Sequence, residues 1–236
     1  HMSDYYKSVL SESGGDPNPP SEQQPTVTFA LIAGNTLLWV IIELIGSSQD
    51  PEMLLRFGAL AGLYVADGDY WRLLTAMFLH AGIMHLLFNT FGLFIFGRTV
   101  EQIYGSLRFS LIYFIAGLSG SVSSFIMSPN SIGVGASGAI FGVLGSFAAF
   151  FLVRRHIFGS LGKQNLYGIL VLAAINLFFG LITPGIDNWA HMGGFTAGFF
   201  VGYILVPKFP MKVSFFGQTQ EVVNERPVAR ILLTVS

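Results

Sequence analysis

The sequence predicts an all-α, polytopic membrane protein, a bundle of six transmembrane helices, and three observations carry that expectation. Of its 236 residues, 52% are hydrophobic and only 11% are charged, against about 25% charged in a typical soluble domain. The apolar residues are gathered into runs near the roughly 20 residues that a helix needs to cross ~30 Å of hydrocarbon. Those runs are continuous and rich in Leu, Ile and Phe, without the alternation of barrel strands, so helices are the expected spanning elements.

Taken in order, residues 1–25 read as a flexible cytoplasmic tail: the stretch is polar, contains GGDPNPP, and opens with a His1-Met2 pair that reads as a cloning remnant. No cleavable signal peptide is expected before the first span. That span covers 26–48 and carries Glu43 near its outer end, read as an interfacial carboxylate. The loop after it, about 49–75, is long and half apolar (PEMLLRFGALAGLYVADGDYWRLL) and is expected to lie in the membrane interface. The further spans are 76–97, 109–127, 135–153, 166–183 and 189–206, so 26–206 forms one domain. Residues 207–236 read as a second cytoplasmic tail. Its end, ARILLTVS, is too short to cross and reads either as tail or as the start of a further segment.

Charge orients the bundle. Arg98, Arg108, Arg154, Arg155, Lys163, Lys208 and Lys212 follow the even-numbered spans, whereas the opposite loops hold Arg56 and Arg72 beside Asp50, Glu52, Asp67, Asp69 and Asp187. By the positive-inside rule both termini are expected in the cytoplasm, with the protein in the plasma (inner) membrane. The chain lacks cysteine, which excludes disulfides and thiolate metal sites, and its net charge of -1 gives no pointer to nucleic acid. The lipid bilayer is the partner that composition demands.

Polar side chains inside a bilayer are costly, so their positions are informative. HAGIMHLLFN (80–89) puts His85 and Asn89 four residues apart, on one helical face. The fourth span opens with Ser137 inside GVGASGAIFG, and the sixth opens with His191. All the even-numbered spans begin on the outer side, which brings these four residues to a similar depth. A helix from Ser137 to Val153 is about 25 Å long, which puts Ser137 roughly 5 Å below the outer interface of a ~30 Å core. Gly138, Gly142 and Gly145 on the fourth span, and Gly194, Gly198 and Gly202 on the sixth, allow close helix approach; such seams serve packing alone as readily as chemistry. Together the four polar residues offer a nucleophile, a base and donors for a developing oxyanion.

From 26 to 206 the chain resembles the rhomboid family of intramembrane serine proteases. The resemblance lies in GASG (135–138), AHMGGFTAG (190–198), HLLFN (85–89), the Trp71-Arg72 pair, and GRTVEQIYG (97–105). It implies Ser137 as nucleophile, His191 as general base and acid, and an oxyanion hole of His85, Asn89 and the Ser137 backbone N–H. Gly135, Gly138, Gly194, Gly198, Trp71, Arg72 and Glu101 would support the site, Glu101 through a hydrogen-bond network. It further implies a partly membrane-embedded first outer loop, a movable fifth span with its following loop around 183–187, transmembrane protein substrates, and no metal or organic cofactor. Phe141 stands where the family often has a tyrosine packed on the histidine.

The expected site is a dyad. Asp187 lies four residues before His191, but Pro184 and Gly185 put the helix start near Asp187 or Asn188, where the carboxylate would cap backbone N–H groups. Two other functions stay open: an inactive rhomboid-like protein that binds transmembrane helices, and a small transporter or channel.

Overall fold

A computed structural model describes residues 24–207 and the backbone of two short strands, Met211–Phe215 and Gln218–Val222. The tail expected over 1–25 falls, except for Gln24 and Pro25, outside the described residues. So does most of 207–236, including ARILLTVS.

Helices run α1 (Thr26–Ile45), α2 (Pro51–Arg56), α3 (Gly62–Ala66), α4 (Arg72–Thr75), α5 (Ile83–Gly92), α6 (Arg98–Tyr104), α7 (Ser106–Met127), α8 (Ser137–Val153), α9 (Arg155–Ile182) and α10 (Asn188–Leu205). A π-helical turn, Leu93–Gly97, joins α5 to α6, so Ile83–Tyr104 is one rod. Thr26–Ile45, Ile83–Tyr104, Ser106–Met127 and Phe158–Ile182 are long and apolar enough to cross a bilayer; Ser137–Val153 is apolar but shorter.

The centre of the bundle is α8. Every residue from Gly138 to Phe151 is buried, as expected of a helix that is apolar on all sides. The seam with α10 is built on backbone contact: a Cβ on Gly194 would strike the Gly138 carbonyl, and one on Gly198 the Gly142 backbone. By contrast, α9 and the outer face of α5 show Phe178, Phe179, Leu181, Phe88 and Phe91 exposed, an apolar surface suited to lipid.

Against the hydropathy reading, α1 ends at Ile45 and not at 48, α7 begins at Ser106 and not at 109, and two boundaries differ by more. Residues 76–82 do not continue α5: a 3-10 turn (Ala76–Phe78) leads into extended Leu79 and then Gly82 at φ 81°. At the other end, α9 begins well before the expected 166. It kinks at Gly159 (φ 53°) and runs through the polar Lys163, Gln164 and Asn165.

The motif G-x-x-x-E-x-x-x-G acts as one structural device. Glu101 is fully buried and accepts four hydrogen bonds, from Val27 N–H (2.9 Å), Thr28 N–H (2.7 Å), the Thr28 hydroxyl (2.7 Å) and the Ser106 hydroxyl (2.7 Å). It thereby caps the start of α1, whose first N–H groups have no intrahelical acceptor. Gly97 leaves room for Thr28, at 3.1 Å from an added Cβ. Gly105, at φ 81°, turns the chain from α6 into α7.

Candidate active site

The segment that delivers Ser137 is held on two sides. Strand β1 (Leu60–Ala61) pairs antiparallel with β2 (Ile132–Gly133), Leu60 opposite Gly133, and Gly135 N–H donates to the Ala76 carbonyl at 2.9 Å. Gly135 adopts φ 120°, a conformation that favours glycine. Its missing side chain also matters: a Cβ there would lie 2.6 Å from His85 Nε2 and 3.8 Å from Asn89 Nδ2. The serine loop is therefore pressed directly against the two α5 residues.

Ser137 is the first residue of α8, so its N–H belongs to the turn that has no intrahelical acceptor. Its Oγ lies 2.9 Å from His191 Nε2. His191 sits in the first turn of α10 and is 7% exposed. Phe141, one turn along α8, stacks on the imidazole with ring centroids 4.2 Å apart and planes within 8°. Asp187 caps α10, accepting the Ala190 N–H at 3.0 Å. Among the described residues, His191 Nδ1 has no hydrogen-bond partner.

On α5, Asn89 is buried and donates one amide hydrogen to the His85 carbonyl at 2.9 Å. His85 Nδ1 accepts the Ala81 N–H at 3.3 Å. In the neutral ring that leaves the proton on Nε2, the nitrogen facing Gly135. His80, which the sequence reading did not single out, is fully buried and packs edge-on against His85 at 5.2 Å.

Arg72 organises the loop beside the site. It is buried and donates to the carbonyls of Leu55 (2.7 Å) and Ala59 (3.2 Å) and to Asp69 (2.9 Å). The last bond holds the Asp69 carboxyl below its usual pKa. The guanidinium also lies over the rings of Tyr64 and Trp71, at 4.4 and 4.6 Å. Trp71 itself is half exposed.

Every residue expected at the site thus falls into one of two groups. Ser137, His191, His85, Asn89, Gly135, Gly138, Phe141 and Gly194 converge where the starts of α5, α8 and α10 meet, and Gly198 lies further down the same α8–α10 seam, against Gly142. Trp71-Arg72 and Glu101 stand apart, in the loop and at the opposite end of the α5–α6 rod. Gly82, Ser48 and Glu43 adjoin the first group without having carried any motif.

The fold and this convergence define a class: a helical bundle with an apolar outer surface and a hydrogen-bonded serine and histidine at adjoining helix starts. Residues 67–208 match the Rhomboid domain, and the chain belongs to the rhomboid family and is an integral membrane protein. It is 45% identical over 186 residues to the rhomboid protease GluP of Bacillus subtilis (strain 168), covering 78% of this chain and 36% of that protein. Two Arabidopsis thaliana relatives match over 154 residues: RHOMBOID-like protein 6, mitochondrial, at 45% identity (65% of this chain, 50% of the relative), and RHOMBOID-like protein 2 at 46% (65% and 48%). The chain thus spans between about a third and a half of the length of these relatives.

Proposed function

We propose that the protein is an intramembrane serine endopeptidase that cleaves transmembrane segments of other membrane proteins. The observation that carries the reading is the 2.9 Å approach of Ser137 Oγ to His191 Nε2, made beside a loop that lies against His85 and Asn89. In this mechanism His191 takes the Ser137 proton through Nε2 while Oγ attacks the scissile carbonyl carbon. The oxyanion accepts from the Ser137 N–H, His85 Nε2–H and the second Asn89 amide hydrogen. The imidazolium then protonates the leaving amine, and water releases the acyl-enzyme by the same steps in reverse roles. A peptide bond inside a helix is shielded by its own hydrogen bonds, so the substrate must unwind locally, which Gly or Pro near the cut makes easier.

The same reading takes the bundle as six spans with cytoplasmic termini, in the plasma membrane, with the loop from about 49 to 75 at the outer interface. Labelling by a serine-reactive fluorophosphonate tests it: the wild-type chain should label and Ser137→Ala should not. Equal labelling of the two would favour a rhomboid-like binder of transmembrane helices without catalysis.

A further inference from the structure

The start of α5 carries a hydrogen-bond arrangement that the reaction as described leaves unused, and its reading rests on the protease function above. Gly82 is the N-cap of α5, and glycine brings no side chain to cap a helix. The chain is held there by two consecutive backbone donors. Ala81 N–H goes to His85 Nδ1. Gly82 N–H goes to Ser48 Oγ at 3.1 Å, across a separation of 34 residues.

Ser48 is fully buried. A hydroxyl can donate once and accept twice, and here all three places are taken: Ser48 donates to Glu43 Oε1 and accepts from Trp39 Nε1–H (2.9 Å) and Gly82 N–H (3.1 Å). The same Glu43 oxygen accepts the Ser48 N–H at 3.0 Å. With the hydroxyl hydrogen committed to Glu43, both lone pairs are turned toward Trp39 and Gly82.

We infer that Glu43 and Ser48 are positioning residues for His85 and Asn89. Glu43 sets the rotation of the Ser48 hydroxyl, Ser48 anchors Gly82, and the anchored Gly82 fixes how the chain enters α5. A slip of Gly82 displaces Ala81 as well. The Ala81 N–H is what keeps the His85 proton on Nε2 and the ring aimed at the Gly135 loop. The effect therefore falls on donors that act in the transition state and leaves substrate docking alone.

The test is steady-state cleavage of a reporter transmembrane substrate in proteoliposomes, with amide hydrogen exchange at Gly82 in the same preparations. Ser48→Ala should lower kcat on the order of tenfold or more, in line with the cost of small misplacements at a reacting centre, with KM within about twofold. Glu43→Leu should match it, whereas Glu43→Gln, which keeps the single accepting oxygen, should stay near wild type. Combined with Asn89→Ala, Ser48→Ala should add little, because both act through one group of donors. An effect of Ser48→Ala on KM alone, equal losses for Glu43→Gln and Glu43→Leu, or full multiplication with Asn89→Ala would overturn the inference. If the wild-type chain shows no Ser137-dependent cleavage, the protease reading falls instead. Gly82 exchange then decides the anchoring: faster exchange in Ser48→Ala supports it and unchanged exchange refutes it.

Discussion

The ring of Phe141 lies parallel to that of His191 at 4.2 Å, while the Asp187 carboxyl is engaged with the Ala190 N–H. An imidazole can be oriented by a carboxylate or by packing, and the proposed dyad takes packing on Phe141 as what orients His191. Asp187→Asn keeps an oxygen at the cap and should retain most of the activity. Phe141→Ala removes the aromatic wall, with about 3–5 kcal/mol typical of such a truncation in a core, and should lose far more. Reporter cleavage by folded protein distinguishes them; loss in Asp187→Asn equal to that of Ser137→Ala would make Asp187 a third catalytic member. Asn89→Ala should lower kcat by on the order of 10²-fold while leaving the apparent KM little changed, because an oxyanion donor acts chiefly in the transition state. A change confined to KM would remove Asn89 from that role.

Between elements, the close approach of α8 and α10 depends on glycine. A Cβ on Gly198 would meet the Gly142 backbone, whereas Gly168 on α9 has nothing within 4 Å of an added Cβ. Gly198→Val should separate the helices, cost about 1–3 kcal/mol or more, and reduce activity by parting His191 from Ser137. Gly168→Ala should stabilise by about 0.5–1 kcal/mol through helix propensity; thermal unfolding in detergent compares the two, and equal effects would refute the seam. Glu101→Ala leaves the Val27 and Thr28 N–H groups without their acceptor and should cost about 3 kcal/mol or more. An unchanged unfolding midpoint would show that α1 does not depend on this cap.

These elements also show what the sequence could convey. Long apolar runs made α1, α7 and α8 legible, because hydropathy over many residues is a strong signal. The true start of α5 was not: AMFLHAG is as apolar as the helix after it, and the break lies in the backbone, in the 3-10 turn, extended Leu79 and the positive φ of Gly82. The early start of α9 was hidden by Lys163, Gln164 and Asn165, polar residues that a helix accepts at its exposed end. The β1 and β2 pairing involves two residues a side, too few for any periodicity. Ser137, His191, His85 and Asn89 were legible because polar groups stand out against apolar spans. Glu43 and Ser48 were not, since their partnership is made in a turn and reaches Gly82 only through folding.

At the scale of the whole molecule, residues separated by more than a hundred positions meet at one end of the bundle because three helices begin there, each delivered by an ordered non-helical segment. On the proposed function, this meeting place hydrolyses peptide bonds within membrane helices. The most direct test reconstitutes the purified chain in liposomes with a reporter protein that has a single transmembrane segment, and measures cleavage for the wild type, Ser137→Ala, His191→Ala and the double variant. The expected result is cleavage by the wild type, and loss in both single variants to a level that the double variant does not lower further, as for members of one chemical unit. Cleavage that survives in Ser137→Ala, or its absence from folded wild-type protein, would rule out a Ser137-dependent protease.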